Sequence, residues 1–168
     1  MSGNPDYIME IRKTMPNDLL RVMRIFEIAR DFMKSSGNPS QWNDNYPSEE
    51  LITSDIQEGV SYVIVDKSKI VGTFVFREGE ESTYSEIDGC WSNDNPYGTI
   101  HRIASDGSTK GIADKCLAFC RTKTGNIRID THRDNTVMQK WIRRCGFKEC
   151  GIIRVSDGTP RDAFQLEP

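Results

Sequence analysis

No stretch of this chain holds the roughly 20 consecutive apolar residues that a bilayer span needs. Its opening residues, MSGNPDYIMEIRK, contain no apolar signal core, so the sequence predicts a cytoplasmic protein. An excess of one charge is missing as well. Lys and Arg number 22 against 25 Asp and Glu, the formal net charge is −3, and the two signs are interspersed. No polyanion-binding surface is announced, and neither nucleic acid nor membrane is expected as a partner. The five cysteines, at 90, 116, 120, 145 and 150, are odd in number and form no CxxC pair. Without an export signal they read as free thiols rather than a disulfide framework. Cys116 and Cys120 share a helix face at i, i+4, but that face is apolar, so core packing is expected there and no metal is assigned. Repeats, low-complexity runs and linker-like composition shifts are absent too.

What is present is a chain of 168 residues, 36% hydrophobic and 28% charged, which fits one soluble domain spanning 1–168. YIMEIRK (7–13) reads as a strand. Thr14 or Asn17 is offered as the cap of a following helix, with Pro16 in its opening turn and Leu19, Met23, Phe26, Ala29 and Met33 on its apolar stripe. SSGNPS must end that helix. SEELITSDIQEG (48–59) reads as a second helix, opened by Ser48 and closed by Gly59,. SYVIVD and KIVGTFVF form a hairpin around KSK, and TYSEIDG (83–89) and YGTIHRIAS (97–105) are two more strands joined by polar CWSNDNP,. Ile112, Cys116, Phe119 and Cys120 then mark a helix that Gly125 stops. NIRID is a strand, NTVMQKWIRRC a helix with Val137, Met138, Trp141, Ile142 and Cys145 facing inward, and GFKECGIIRV and RDAFQL close the chain as strands. The order βααββββαβαββ predicts an α/β fold, α+β by segregation, with a mixed, mostly antiparallel sheet flanked by helices.

Two joints carry chemistry. SDGSTKGIA (105–113) passes from a strand through a polar loop into a helix at Gly111. Helix N-termini attract phosphate, each charge–dipole contact contributing about 0.3–1 kcal/mol, so such a loop could hold a pyrophosphate without a basic patch. The alternative is a plain turn whose Gly107 and Gly111 permit tight backbone. Neither a Walker A spacing nor GxGxxG is present. The second joint, RIDTHRDNTVMQKWIRRCGF, runs from a strand into an Asn-led helix and stops at Gly-Phe.

The order of elements, STKGIA and this second joint together resemble the GNAT superfamily of acyl-CoA-dependent N-acetyltransferases, across nearly the whole chain. The family's phosphate loop reads Gln/Arg-x-x-Gly-x-Gly/Ala; Gly111 and Ala113 match, and Ser108 replaces the usual Gln or Arg. The resemblance implies that the strand near 126–131 splays from the strand near 97–105 and that acetyl-CoA enters the gap. Main-chain groups of Ile103, Ala104 and Ser105 would bond its pantetheine arm, and amides of Ser108, Thr109, Lys110, Gly111, Ile112 and Ala113 its pyrophosphate. Asn135 would lie beside the cofactor or simply cap its helix.

The family's usual glutamate and tyrosine fall on Thr99 and Ile142, so acid and base groups must be sought elsewhere. His101, on the strand that lines the gap, is the first candidate, because a histidine with its ordinary pKa near 6.5 suits proton transfer. Glu86 is a second, and Tyr97 a candidate donor to the departing thiolate; His132 reads as a loop residue. Trp42, Tyr46 and Trp91, aromatics in polar loops, would wall the acceptor or anchor their loops. The implied activity is acetyl transfer from acetyl-CoA directly to a primary amine of a small molecule or peptide, by a monomer or a homodimer. The alternative is a non-catalytic acyl-CoA-binding module of the same fold.

Overall fold

The computed structural model describes residues 8–168; Tyr7, the expected first residue of the opening strand, lies outside them. Eight strands and four helices follow in the expected order. They are β1 (Glu10–Lys13), α1 (Leu19–Ser35), α2 (Glu49–Gln57), β2 (Ser61–Asp66), β3 (Lys69–Glu78), β4 (Asp88–Gly89), β5 (Gly98–Ser105), α3 (Ile112–Arg121), β6 (Ile127–Thr131), α4 (Thr136–Arg144), β7 (Lys148–Arg154) and β8 (Pro160–Leu166).

Local chemistry explains where these elements begin. The Ser48 hydroxyl accepts from the Leu51 amide at 3.1 Å and opens α2. The Asn135 carbonyl accepts from the Met138 amide at 3.0 Å and opens α4; such caps satisfy main-chain donors that a helix cannot. Ahead of α1 the expected caps are not used. Asp18 accepts from the Met15 amide at 2.7 Å, while the Thr14 hydroxyl pairs with Ser61. Another difference lies at 83–89, where only Asp88–Gly89 pairs as strand and Ser82–Tyr84 makes a 3-10 turn. There the Glu81 carboxylate accepts from both the amide and the hydroxyl of Thr83, a local capping that competes with a ladder.

The strands form one sheet in the order β1-β2-β3-β5-β6-β8-β7-β4. All pairs are antiparallel except β5 with β6. On one face α3 and α4 pack Ile112, Cys116, Cys120, Trp141 and Ile142 against Phe74, Ile100 and Ile129. On the other, α1 and the loop after it pack Val22, Ile25, Phe26 and Trp42 against Val63 and Ala104. Cys116 and Cys120 are fully buried, as core packing required. Val137, expected inside, is 51% exposed; α4 is short, and its inward stripe is already filled by Trp141 and Ile142. Among the described residues no helix is long and apolar enough to cross a membrane.

Candidate active site

The centre of the sheet opens where its one parallel pair parts. β5 and β6 are in register only at Gly98–Ile127 and Thr99–Arg128. Beyond Thr99, β5 continues to Ser105 paired, among the described residues, with β3 alone, so one edge of residues 100–105 has no strand of theirs beside it. Main-chain groups on such an edge need partners, and an extended ligand bearing amides can supply them.

Within that same stretch β5 carries a bulge. Thr73 pairs with Ala104 and Val75 with His101, so two steps on β3 oppose three on β5. Arg102 takes φ of 50°, a left-handed conformation that costs a non-glycine residue about 1–2 kcal/mol. The bulge breaks the alternation of faces. Ile100 and Ile103 both turn to the α3 side, and Arg102 turns to the other, where its guanidinium forks onto Asp55 of α2 at 3.0 and 2.9 Å and donates to the Tyr46 hydroxyl at 3.2 Å. Burial pushes the Asp55 carboxyl above its ordinary range, and Arg102 only partly draws it back.

His101 therefore faces a cavity of about 480 Å³ with Arg102 and Ile103 at its flank. Its Nε2 lies 3.2 Å from Oε2 of Glu81, which also lines the cavity. The hydrogen bond from His101, with help from Thr83 and against the opposing push of burial, holds the Glu81 carboxyl down to about 2. Glu81 is itself fixed from behind, its amide donating to the Tyr97 hydroxyl at 2.8 Å. Asp130, on the β6 side, accepts from the buried Tyr84 hydroxyl at 2.6 Å. The cavity thus joins a histidine, an oriented carboxylate and two further carboxylates, Asp130 and the exposed Asp157; no cysteine lines it among the described residues.

At the far end of β5 lies the loop into α3. Gly111 caps that helix with φ of 80°. Ser108 departs from the expected anion cradle: its amide and hydroxyl both bond the Asp106 carboxylate, at 2.9 and 2.6 Å, because an aspartate readily captures the amide two residues on. The Gly107 amide is likewise taken by the Ser105 hydroxyl at 3.0 Å. The Asp106 carboxylate is paired with Arg21 at 2.6 Å. From Thr109 to Asp114, main-chain amides find no protein acceptor among the described residues, the helical bonds starting with the Lys115 amide on the Gly111 carbonyl at 2.9 Å. Free donors and the positive helix end coincide there.

The sequence candidates thus separate. His101, Ile103, Trp42, Tyr46 and Asn135 share the cavity. Trp42 is also a core residue, edge-on to Phe26 at 5.6 Å, and the Asn135 side chain is spent on its cap and on Gln41 at 2.9 Å. Glu86 sits at an exposed bend outside the cavity, because the turn at 82–84 replaces the strand that would have turned it inward. Tyr97 and Trp91 are outside too, stacked on either side of Arg128 with its guanidinium carbon 3.9 and 4.2 Å from the ring centres. They pin the 90–97 loop, which leaves Tyr97, the candidate donor, and Trp91, a candidate wall, outside the cavity lining. Thr99 and Ile142 are buried, the latter completely. Glu81, Asp130 and the Arg102–Asp55 pair were not singled out by sequence. The three-residue spacing of Ile100 and Ile103, which breaks the alternation of a regular strand, is the signal in the sequence from which the bulge could have been read,.

No family model matches the chain, and no curated protein does either. Solved structures do. A GNAT-family acetyltransferase from Streptococcus agalactiae is 30% identical, with 95% of each chain covered and a TM-score of 0.85. Two further GNAT-family acetyltransferases share the fold: one from Listeria monocytogenes at 19% identity, covering 95% of each chain with a TM-score of 0.70, and one from Bacillus cereus at 20%, covering 95% of this chain and 97% of that one with a TM-score of 0.61. The parted strand pair and the free amides ahead of α3 fit an acyl-CoA, and identity of this level along nearly the full length makes the chain a member of the GNAT family of acetyltransferases.

Proposed function

We propose that the protein moves an acetyl group from acetyl-CoA directly to a primary amine of a small molecule or peptide. The observation that carries this reading is His101, hydrogen-bonded to Glu81 at 3.2 Å, on the strand whose edge is free beyond Thr99. Main-chain groups of Ile103, Ala104 and Ser105 would hold the pantetheine arm. Amides from Thr109 to Ala113, with Lys110 in the same loop, would hold the pyrophosphate. Bound acetyl-CoA supplies an acetyl thioester open to attack by a neutral amine.

The residues of the chain then manage the proton. A lysine-like amine, with pKa near 10.4, costs roughly 4–5 kcal/mol to deprotonate at neutral pH, so a base is needed beside it. Glu81 accepts the Nε2 proton of His101 and fixes that tautomer, which leaves the Nδ1 lone pair to take a proton from the amine. As the carbon–nitrogen bond forms and the carbon–sulfur bond breaks, the positive charge left on His101 is met by Glu81.

The test is thiol release from acetyl-CoA across a panel of amines, with His101→Ala beside the parent. The expected loss in kcat/KM is about 10²–10⁴-fold, while acetyl-CoA still raises the melting temperature of both proteins. If acetyl-CoA binds, no amine reacts and the variant behaves as the parent, the protein is a non-catalytic acyl-CoA-binding module.

A further inference from the structure

Three arginines line the cavity, Arg77, Arg102 and Arg161, and two of them are neutralised. Arg77 meets Glu58 at 2.6 Å and Arg102 meets Asp55 at 2.8 Å. Arg161, on β8, is only 7% exposed. Its terminal nitrogens donate to two main-chain carbonyls, of Pro160 at 3.1 Å and Gln41 at 3.0 Å. No carboxylate oxygen lies within the 4.0 Å of an ion pair, among the described residues. Asp157 is near enough to feel its charge but is exposed and bonded to the Thr159 amide at 2.9 Å.

A buried cation needs a counter-charge or an equivalent. Arg128 illustrates the equivalent: also buried without a carboxylate, it lies between the faces of Trp91 and Tyr97, which a cation favours. No ring lies under Arg161 among the described residues. Carbonyl oxygens occupy two of its five donors, and the fork geometry of the remainder suits a carboxylate. Elsewhere the cavity presents the opposite sign, in Glu81 beside His101 and in Asp130, which among the described residues has a hydroxyl partner but no cation; Asp157 lines the rim near Arg161 but is exposed and turned into its own loop.

From this polarity, and resting on the function proposed above, we infer that the acceptor is an amine that also carries a carboxylate. Arg161 holds the carboxylate and the amine lies toward His101, with Glu81 and Asp130 drawing it in while it is still charged. Arg161 is a specificity residue in this arrangement and takes no part in the proton transfer.

Matched amines decide the matter: lysine against cadaverine, and phenylalanine against phenethylamine, each assayed for thiol release from acetyl-CoA. The parent protein should prefer the carboxylated member of at least one pair by about 10–100-fold in kcat/KM, the range of a charge-assisted hydrogen bond. In Arg161→Gln that ratio should collapse toward one through the KM of the carboxylated amine, and Arg161→Lys should restore part of it. Equal use of both members by the parent, or equal loss of both in Arg161→Gln, overturns the inference and leaves Arg161 as a clamp on the Gln41 loop. Should no amine react, the proposed function fails separately. Calorimetric titration of the same amines into the CoA-bound protein then still reads the carboxylate site: tighter binding of lysine than cadaverine supports it, and no difference sinks it. If Arg161→Gln does not fold, the comparison within the parent decides alone.

Discussion

Asp55→Ala should destabilise the protein by about 3 kcal/mol and disable its active site from the far side of the bulge. The carboxylate is 2% exposed and forks onto Arg102, which is 12% exposed. Removing one member of a buried pair leaves the other charged and unmet, which typically costs about 3–5 kcal/mol. The lower end applies, since Arg102 keeps its bond to Tyr46. For a chain of this length that corresponds to a drop of about 10 °C in melting temperature. Urea unfolding of the parent, Asp55→Ala, Arg102→Ala and the double variant closes the cycle, with a coupling of about 1–3 kcal/mol expected. The functional arm follows from φ of 50° at Arg102. The ion pair helps hold that conformation, and relaxation of the bulge would turn His101 out of the cavity. Asp55→Ala should therefore lower kcat more than acetyl-CoA affinity: the proposed pantetheine contacts at Ile103–Ser105 adjoin the bulge, but the amides from Thr109 to Ala113 proposed for the pyrophosphate lie outside it. A loss of stability under about 1 kcal/mol, or additivity within about 0.5 kcal/mol, would refute the idea that this pair anchors the bulge.

Two further outcomes are expected. Gly111→Val should weaken acetyl-CoA binding measured by calorimetry: a side chain there meets no protein atom within 4 Å, but φ of 80° strains a β-branched residue and disturbs the amides around it. Glu81→Gln should flatten the acid side of the stability profile. The folded carboxyl, at about 2, lies below its ordinary 4.5, so its contribution is complete above about 4.5 and lost as pH falls toward 2. Discounted for solvent access that is roughly 1–2 kcal/mol, and an unaltered slope in urea titrations across this window would count against the His101–Glu81 bond.

Much of the fold was legible because punctuation and periodicity agreed. Ser48 caps the helix it was expected to cap, Asn135 takes the cap that was one of its two readings, and Gly111 stands at the head of α3. Misreadings arose where one side chain outbid the ladder or the stripe. Glu81 captured Thr83 and replaced most of a strand with a turn, which moved Glu86 out and brought Glu81 in. Nothing in REGEES distinguishes Glu81 from its neighbours; the Tyr97 hydroxyl, 16 residues on, does so. Trp91 had the composition of a pocket wall, but Arg128, a residue of a distant strand, claimed its face. Arg161 and Asp130 acquire meaning only from the charges that do and do not surround them, which no local pattern encodes.

The two absent family groups do not weigh equally. Thr99 lies at the last in-register pair of β5 and β6, buried, with its hydroxyl unpartnered. A carboxylate there would sit below the fork, away from any ligand that enters it. His101 is two residues further on, on the same face of β5 by alternation and past the fork. The base of the proposed reaction has thus moved one strand period toward the opening, and Glu81 orients it. Ile142 is a different case, a fully buried core residue with no acid replacing it on α4. That omission is the cheaper one: a thiol of pKa near 8.5 leaves readily as the thiolate, whereas an amine near 10.4 cannot attack while protonated. A site that keeps a base and dispenses with an acid has retained the group on which the larger barrier depends.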